Sequence, residues 1–367
     1  MRFVLFVHSL ASDWNHGNAH FLRGVVAELQ ERGHEVAVFE PRNGWSRENL
    51  VRDHGEEPLR RFSERFPHLR SSQYELDDFD LDAALDGADV VLVHEWNDPG
   101  LVRRIGERRA ARPFVLLFHD THHRAVTRPE EMARYDLSHY DGVLAFGAVL
   151  RDLYLERGWA ADAWTWHEAA DTRILRPAPT APDGCDLVWI GNWGDGERTK
   201  ELEEFLLAPA RALDLTGTVH GVRYPDEARE AVARSGLDYR GWLPNHEVPH
   251  VFARHRITVH VPRRPYVEAL PGIPTIRPFE ALACGIPLVS APWDDAEGLF
   301  RPGEDHLVAR DGREMCRALD AVLSDAELAA SLRREGLRTI AERHTCSHRV
   351  DELLAVVREL RPEAVAA

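Results

Sequence analysis

The sequence predicts an α/β protein with two parallel-sheet domains, and three observations carry that prediction. Short apolar runs rich in Val, Leu and Phe alternate with amphipathic helical stretches, as in parallel strands joined by helices. The alternation stops once, in the Pro- and Ala-rich stretch 176–184, and then begins again. A chain of 367 residues is also longer than one ordinary core requires. We therefore expect two Rossmann-like domains joined by an extended linker.

The first half of the chain contains six apolar runs that predict strands, with helices between them. The predicted strands are 3–8, 35–40, 90–94, 114–119, 142–146 and 163–166, and the helices include 20–32, 99–110 and 148–157. Residues 41–80 interrupt this pattern with a charged insertion that contains several aromatic residues. We expect the insertion to be partly helical and to lie near the mouth of a cleft.

The second half of the chain repeats the same alternation. Its predicted strands are 187–191, 217–221, 238–242, 257–261, 287–290 and 306–309, and the chain from residue 313 onward is predicted to be almost entirely helical. Open parallel sheets bind ligands at the carboxyl ends of their strands. Two such domains therefore predict a ligand cleft between them.

The composition restricts the partners and the compartment. The chain carries 45 Lys and Arg against 61 Asp and Glu, a formal charge of −16. Nucleic-acid phosphates repel such a protein, so we expect no nucleic-acid partner and a local pocket for any bound anion. Four scattered cysteines show neither metal nor disulfide spacing. The N-terminal apolar run is too short for a signal peptide, and no run reaches the ~18 residues of a membrane span. These features favour a cytoplasmic protein.

The most informative stretch is residues 271–289, Pro-Gly-Ile-Pro-Thr-Ile-Arg-Pro-Phe-Glu-Ala-Leu-Ala-Cys-Gly-Ile-Pro-Leu-Val. It predicts a loop, then a short helix that ends at Cys284 and Gly285 because Pro287 prevents its continuation, then a buried strand. The start of such a helix directs free backbone N–H groups at an anion such as phosphate. One turn inside the helix, Glu280 can accept hydrogen bonds from a sugar diol. A phosphate site beside a diol site predicts a nucleotide.

A second glycine-rich loop, residues 191–200, follows the first strand after the linker. Gly191 and Asn192 begin this loop, and Arg198 and Lys200 lie at the start of the next helix. Two cations at that position can neutralise a diphosphate, which an acidic protein can hold only with local positive charge. For Lys200, an ordinary exposed charge on a helix is an equally good interpretation.

In the first half, polar residues follow three predicted strands. Gly17 and Asn18 open the first helix, where glycine lets a ligand approach the backbone or eases a turn, and Asn15 or Asn18 can cap the helix. The glycine fingerprint of dinucleotide-binding dehydrogenases is absent here. His119 and Asp120 end another strand, and a strand-terminal His with an acid can orient a hydroxyl or transfer a proton. His94 with Glu95 has the same form, although a structural role explains that pair better. Three histidines at 119–123 suggest a metal, but their spacing does not favour one.

The segment Phe-Glu-Ala-Leu-Ala-Cys-Gly-Ile-Pro-Leu-Val, residues 279–289, resembles the donor-binding segment of GT-B glycosyltransferases, especially the family-4-like and CgeB-like branches. The resemblance implies an acceptor-side domain at 1–172, a nucleotide-sugar domain at 173–344 and a C-terminal helix, 345–367, that crosses back to the first domain. It implies that Arg198 and Lys200 stabilise the departing diphosphate, and that His119 lies beside the donor sugar, with Asp120 as the alternative acid or base if configuration inverts. The same resemblance assigns substrate contacts to a further set of residues: Gly17, Asn18, Gly191, Asn192, Trp242, Leu243, Gly272, Ile276, Arg277 and Glu280.

The sequence departs from the family pattern at one position. Related retaining enzymes carry two glutamates eight positions apart, and eight positions before Glu280 this chain has Gly272. Glu268 lies near enough in sequence to compensate after a shift of the loop. Because the missing glutamate normally touches the sugar, the departure leaves the sugar and the retention of configuration open.

The sequence therefore predicts a glycosyltransferase that moves a sugar from a nucleoside-diphosphate sugar to an acceptor hydroxyl, without a metal ion or other cofactor. Retention of configuration is expected, with inversion left open. The acceptor is a carbohydrate, a lipid-linked molecule or a small molecule, and any membrane contact is peripheral. A sugar-nucleotide epimerase, a phosphorylase and a non-catalytic nucleotide-sugar-binding protein on the same architecture are the alternatives. Replacing Arg198 or Lys200 with Ala is expected to lower turnover with little loss of fold.

Overall fold

The computed structural model describes residues 1–179, 184–194 and 196–361. The chain divides into two compact units. Unit 1 contains Met1–Glu168 and the segment from Cys346 onward, and unit 2 contains Ala169–Thr345. Residues 180–183 of the predicted linker lie outside the described residues, and residues 176–179 form neither helix nor strand.

Unit 1 is a parallel sheet with helical connections. Its strands are β1 (Arg2–Phe6), β2 (Glu35–Pro41), β3 (Ser72–Tyr74), β4 (Val90–His94), β5 (Val115–Asp120), β6 (Gly142–Ala145) and β7 (Ala163–Thr165). Its helices are α1 (Ala19–Glu31), α2 (Trp45–His54), α3 (Glu57–Arg65), α4 (Leu81–Ala84), α5 (Pro99–Arg109), α6 (Arg124–Thr127), α7 (Pro129–Met132) and α8 (Ala148–Glu156). The strand order is β3-β2-β1-β4-β5-β6-β7, with parallel pairing throughout the described strands. The order reverses between β1 and β4, which places a ligand crevice at their carboxyl ends.

Unit 2 repeats this plan. Its strands are β8 (Cys185–Ile190), β9 (Gly217–His220), β10 (Leu237–Gly241), β11 (His255–His260), β12 (Leu288–Ser290) and β13 (Leu307–Val308). Its helices are α9 (Thr199–Leu202), α10 (Ala208–Ala212), α11 (Asp226–Arg234), α12 (Val248–Ala253), α13 (Arg264–Glu268), α14 (Ile276–Cys284), α15 (Gly312–Ser324) and α16 (Ala326–Arg343). A π-helical turn (Glu203–Leu207) joins α9 to α10, and a 3₁₀ turn (Asn245–Glu247) precedes α12. The parallel strand order is β10-β9-β8-β11-β12-β13, so the reversal falls between β8 and β11.

The predicted return of the C-terminal helix to the first domain is confirmed. Helix α17 (Cys346–Leu360) belongs to unit 1. Its Arg349 carbonyl accepts a 2.8 Å hydrogen bond from Trp166 Nε1, and its Asp351 pairs at 2.6 Å with Arg32, the residue after α1. The apolar side of α17, with Val350, Leu353 and Val357, is buried. Hydrophobic burial holds this helix in place, and the exposed ion pair adds little.

The structure also corrects the prediction for residues 41–80. They contain the expected helices, α2 and α3, and in addition the edge strand β3, which pairs with β2. Its three residues, Ser-Gln-Tyr, have no apolar run that would predict a strand. Among the described helices, none is both long enough and apolar enough to cross a bilayer.

Candidate functional site

Arg198 lies at the point in unit 2 where the strand order reverses. It follows β8, and its guanidinium donates to the carbonyl of Val261, just beyond β11, at 3.1 Å. It also donates to the carbonyl of Asn192 at 2.5 Å and lies 5.2 Å from the ring centre of Trp189. The backbone of Gly194 packs on its aliphatic stem, where a Cβ would come within 2.9 Å of Arg198 Cγ. Arg198 therefore fixes both strand ends of the crevice.

The charge environment of Arg198 is that of an anion site. Burial, and then the nearby positive charges of Arg263 and Arg277, lower the pKa of Arg198 to about 9. The guanidinium is still cationic at neutral pH, and a bound anion would relieve the mutual repulsion. Its Nε is buried and has no hydrogen-bond partner among the described residues. A buried donor of this kind is rare in a folded protein and favours a ligand.

Helix α14 begins in the same neighbourhood. Thr275 precedes it with φ 61° and ψ −175° and makes no side-chain cap, so the first backbone N–H groups are not covered by a capping side chain. A non-glycine residue in the left-handed region costs free energy, and such strain is common at ligand sites. The helix ends at Gly285 with φ 67°, as predicted. Both ends of the motif therefore have the predicted form.

Glu280 and Arg277 form an ion pair within the first turns of α14. The Glu280 side chain is fully buried and Arg277 is largely buried. Because Arg277 also acts on the pKa of Arg198, the predicted cation and the predicted diol-binding carboxylate share one neighbourhood. A ligand that meets Glu280 must therefore also meet Arg277, which suits a molecule with both hydroxyl groups and negative charge.

The structure adds His260, which sequence reasoning missed. It ends β11, is 2% exposed, and its Nδ1 lies 2.9 Å from Ser290 Oγ. Burial lowers the pKa of His260 to about 3, and His306, Arg198 and Arg277 act in the same direction. The imidazole is therefore neutral and lies beside the cations. The sequence feature that could have identified His260 is its position at the end of a predicted strand, where ligands bind in parallel sheets.

Gly272 is covered by a carboxylate from another loop. It has φ 88°, and a Cβ built on it would lie 2.9 Å from Glu297 Oε1. The Gly272 N–H also donates to the carbonyl of Asp294 at 2.6 Å, which fixes the two loops together. Glu268, which the sequence suggested as a compensating carboxylate, is exposed on α13. The carboxylate that reaches Gly272 is therefore Glu297.

Lys200 lies in different surroundings from Arg198. It is exposed and lines a cavity of about 1040 Å³ together with Trp193, Thr199, Arg223 and Tyr224. Arg198 is not among the lining residues. The two cations therefore do not line the same cavity, and for both of them an action on one diphosphate stays a prediction.

The remaining predicted substrate contacts of unit 2 lie at the strand ends. The Gly191 carbonyl accepts from Tyr224 Oη at 2.8 Å, and Asn192 Oδ1 accepts from the Val222 N–H at 3.0 Å. These bonds tie the β8 loop to the β9 loop. Beyond β10, Trp242 and Leu243 are partly exposed. Ile276 is the buried first residue of α14.

In unit 1, His119 is the second-to-last residue of β5 and pairs in register with His94 of β4. Its ring packs against Trp166 at 4.8 Å and His94 at 5.3 Å. Burial lowers the pKa of His119 to about 3, so the imidazole is neutral. Its Nε2 is buried without a hydrogen-bond partner among the described residues. This geometry suits a residue that orients a hydroxyl group.

Asp120 lies in a different environment. Its carboxylate is fully buried, accepting from Tyr154 Oη at 2.7 Å and from the His122 N–H at 3.0 Å. Burial, followed by the negative charge of Glu95, raises the pKa of Asp120 well above its usual range. These contacts favour a structural role for Asp120, and they favour His119 for any contact with substrate.

The loop after β1 contains the other predicted contacts of unit 1. Gly17 is exposed in a turn. Asn18 directly precedes α1, but the prediction that it caps the helix is wrong, since its side chain makes no cap bond. Its carboxamide is buried, and neither Oδ1 nor Nδ2 has a partner among the described residues. Across the described part of the chain, no three His, Cys, Asp or Glu side chains cluster as a metal site.

Comparisons with known proteins agree with this arrangement. Residues 17–173 match the family model for Glycosyltransferase Family 4, and residues 198–355 match a model described as glycosyl transferase-like. No curated protein gave a match.

Solved structures match over nearly the whole chain. Sucrose-phosphate synthase from Thermosynechococcus elongatus has a TM-score of 0.67 at 16% identity, covering 98% of this chain and 99% of its own. A glycosyltransferase from Rickettsia africae has a TM-score of 0.67 at 10% identity, covering 98% of each chain. Alr3699/HepE of Anabaena, solved in complex with UDP and glucose, has a TM-score of 0.66 at 13% identity, covering 98% of this chain and 100% of its own. The fold is therefore the two-domain GT-B architecture.

Together the two family models span most of the chain. The protein belongs to the GT-B glycosyltransferases of the family-4-like branch, and it is a glycosyltransferase enzyme.

Proposed function

We propose that the enzyme transfers a sugar from a nucleoside-diphosphate sugar, bound by unit 2, to an acceptor hydroxyl group. The observation that carries this proposal is the group formed by Arg198, at the β8 and β11 strand ends, with Arg277 and Glu280 of α14. Two guanidinium groups suit a diphosphate, and a buried carboxylate suits the ribose diol. A relative of the same fold, Alr3699/HepE, is solved with UDP and glucose, which supports a donor of this class.

The chemical step requires charge stabilisation more than proton abstraction. The bond between the anomeric carbon and a diphosphate oxygen breaks, and the acceptor oxygen forms the new bond to that carbon. The hydroxyl proton leaves with the diphosphate, whose charge grows as the bond breaks. Arg198 and Arg277 stabilise that charge in a largely buried site, where a fixed cation has its greatest effect. We propose that no metal ion is needed, because the guanidinium groups supply the positive charge.

Two observations bear on the sugar and on stereochemistry. Glu297 covers Gly272, so we propose that it supplies the sugar-contacting carboxylate that the sequence motif lacks. Asp120 has both carboxylate oxygens hydrogen-bonded, which leaves it poorly suited to remove a proton from an acceptor. This favours retention of configuration, with His119 orienting the sugar or the acceptor. A product of inverted configuration would contradict this assignment.

The test is a thermal-shift panel of nucleoside diphosphates and their sugars, with and without EDTA. A ligand at a concentration of about 100 times its Kd adds about 2.7 kcal/mol to the free energy of unfolding, so at least one nucleotide should raise the Tm clearly. EDTA should leave that shift unchanged. NMR of the product then reports the anomeric configuration, and incubation with donor alone separates an epimerase, which needs no acceptor. A panel without any shift would contradict the proposal.

A further inference from the structure

Unit 1 carries a patch in which two exposed tryptophans flank a histidine. The patch consists of Trp45, Trp96, His8 and His16, together with Asn18, which lies two residues after His16 in the same loop, and we call it the tryptophan–histidine patch. Trp45 is 43% exposed and Trp96 is 40% exposed, among the few large apolar side chains open to solvent in the described chain. Their ring centres lie 6.5 Å and 5.9 Å from that of His8. Exposed apolar groups gathered at one place mark an interaction surface.

The exposed ring of Trp96 is held in a fixed position. The Arg124 guanidinium lies 4.0 Å from its ring centre and pairs with the buried Glu95 carboxylate at 2.7 Å. Arg124 also donates to the Glu95 carbonyl at 2.9 Å. Trp96 therefore packs on a guanidinium that cannot move freely. A ring that is fixed before binding loses little conformational entropy when a ligand stacks on it.

Trp45 is held in a comparable way. It is the first residue of α2, and its ring lies edge-on to Trp14 at 5.1 Å. Trp14 Nε1 donates to Asp53 Oδ2 at 3.0 Å, which anchors the pair to the same helix. Both tryptophans thus have rigid supports.

The polar part of the patch has unused hydrogen-bonding atoms. His16, 6% exposed, lies with its ring 5.0 Å from His8, and its Nε2 has no partner among the described residues. Asn18, 7% exposed, has no partner there for either Oδ1 or Nδ2. Buried polar groups in native proteins are nearly always hydrogen-bonded, so these atoms point to a ligand that completes them. A neutral imidazole and a carboxamide both donate and accept, as hydroxyl groups do.

The charge around the patch argues for a neutral ligand. Arg124 is compensated by Glu95, and Arg23 pairs with Asp13 at 2.9 Å. Burial lowers the pKa of His8 to about 4 and that of His16 well below its usual value, so neither imidazole carries charge at neutral pH. A phosphate or carboxylate would find no uncompensated cation among these residues. An acyl chain would leave the polar atoms of His16 and Asn18 unsatisfied.

We propose that the tryptophan–histidine patch binds a pyranose ring of a carbohydrate acceptor. A pyranose has an apolar C–H face that stacks on a tryptophan and a rim of hydroxyl groups that bond to His16 and Asn18. This inference rests on the proposed function and selects one acceptor class from those that the sequence left open. A neutral saccharide is the ligand that uses both the rings and the unpaired polar atoms.

Saturation-transfer NMR on the full chain tests the proposal. The probes are α- and β-linked disaccharides of glucose, galactose, mannose and N-acetylglucosamine, with decanol and glycerol 1-phosphate as lipid-like and charged comparisons. The proposal predicts the strongest transfer to ring C–H protons of one pyranose face. Trp96→Ala and Trp45→Ala should each weaken saccharide binding about tenfold, a typical effect of losing an aromatic stacking contact.

Trp159→Ala is the matched control. Trp159 also belongs to unit 1, is partly exposed and packs under an arginine, Arg157, at 4.8 Å, but it lies after α8, outside the patch. This control should keep saccharide binding. Asn18→Ala removes hydrogen-bonding atoms without removing a ring, and it should also weaken binding, which keeps the test decisive if a tryptophan variant fails to fold.

The outcomes separate this proposal from the proposed function. A nucleoside diphosphate added to the same samples reports the donor site, and its binding should be unchanged in all patch variants. Nucleotide binding by the wild-type protein with no saccharide binding overturns the patch proposal alone. Saccharide binding that survives both tryptophan substitutions, or preferential binding of decanol or glycerol 1-phosphate at the patch, also overturns it. Saccharide binding without any nucleotide binding contradicts the proposed donor site and still supports the patch proposal.

Discussion

The two units share a strand order but differ in the chemistry at the point where that order reverses. In unit 1 the loop after β1 carries the neutral imidazoles of His8 and His16, and the loop after β4 carries the exposed ring of Trp96. In unit 2 the loop after β8 carries Arg198, and burial together with the positive charge of Arg263, just beyond β11, lowers the pKa of Arg198. One edge is suited to an uncharged hydroxyl-bearing molecule and the other to an anion.

This difference shows how one fold serves two substrates. The parallel sheet fixes where a ligand binds, because strand ends meet at one edge. The side chains that follow the strands then decide what binds there. An overall charge of −16 makes the local cations of unit 2 necessary for an anionic donor. The predictions below test whether the two edges are as different as their residues indicate.

The largest effect is expected from Arg198. Arg198→Ala removes the central cation of unit 2, and kcat/KM should fall about 10²- to 10³-fold, as for loss of one fixed electrostatic contact in a transition state. Steady-state kinetics with the donor identified in the thermal-shift panel measures this. The variant also leaves the Val261 and Asn192 carbonyls without their donor, so stability should fall by about 1–3 kcal/mol. That loss revises the expectation of an unaffected fold.

Arg264→Ala is the matched control for Arg198. Arg264 is the first residue of α13, the helix that follows β11, but it is partly exposed and pairs with Glu201 at 3.1 Å. Its removal should change stability and kcat/KM little. Equal losses in the two variants would mean that Arg198 acts only as one positive charge among many.

Glu280→Gln should affect both stability and ribose recognition. It leaves the largely buried Arg277 without its carboxylate, which typically destabilises by about 3–5 kcal/mol. If the carboxylate also accepts from the ribose diol, the wild-type protein should bind a ribonucleoside diphosphate about tenfold more tightly than its 2′-deoxy form, as expected for a hydrogen bond to a charged group. Calorimetry with both ligands measures the ratio. A ratio unchanged in the variant would remove Glu280 from the ribose site.

The acid stability of unit 1 tests the neutral-imidazole side of the comparison. Burial and the neighbouring His119, His16, His8 and Arg124 hold the pKa of His94 well below its usual value. The unfolded chain binds a proton near pH 6.5 that the folded chain does not, so stability is fully present above that pH and falls as the pH falls. His94→Gln should reduce this slope by about 1.4 kcal/mol per pH unit between pH 6 and pH 4.

Urea unfolding at several pH values measures that slope. Asp120 acts in the opposite direction, because its raised pKa favours the folded state at low pH, but both proteins keep Asp120 and its contribution cancels. The control is His139→Gln, since His139 is exposed on the same unit. Identical slopes for wild type and His94→Gln would show that His94 is not held neutral by the fold.

The smallest effect is expected from Glu297. If its carboxylate contacts the sugar, Glu297→Gln should weaken binding of the nucleotide sugar about tenfold and leave the nucleoside diphosphate unaffected, because one charge-assisted hydrogen bond is weakened. Glu268→Gln is the comparison, since Glu268 is an exposed carboxylate from the same unit. If wild type and Glu297→Gln bind the nucleotide sugar with equal affinity, Glu297 does not contact the sugar.

Much of the fold could be predicted because the sequence repeats one local pattern. Buried strands appear as continuous apolar runs. The end of α14 at Gly285 follows from the preference of glycine for the left-handed conformation. Strand β3 could not be predicted, because its three polar residues form a strand only by pairing with β2. Asn18 directly precedes a helix without capping it, which the local sequence gave no means of anticipating.

The residues of the site also divide into those that the sequence could predict and those that it could not. Glu280 and Arg277 lie on one short helix, so their pairing follows from a spacing of three residues. Arg198 was predicted from its loop, but its bond to Val261 depends on the order of the strands. Glu297 reaches Gly272 from another loop, and His260 ends a different strand. Those two residues join the site through tertiary structure alone.

Amide hydrogen exchange on the full chain, with and without the nucleoside diphosphate that binds most tightly, shows which unit holds the donor. We expect slower exchange at residues 191–198 and 272–280 of unit 2, with residues 8–18 and 94–97 of unit 1 unchanged. Protection confined to the unit 1 segments, with none near Arg198 and Glu280, would contradict donor binding by unit 2.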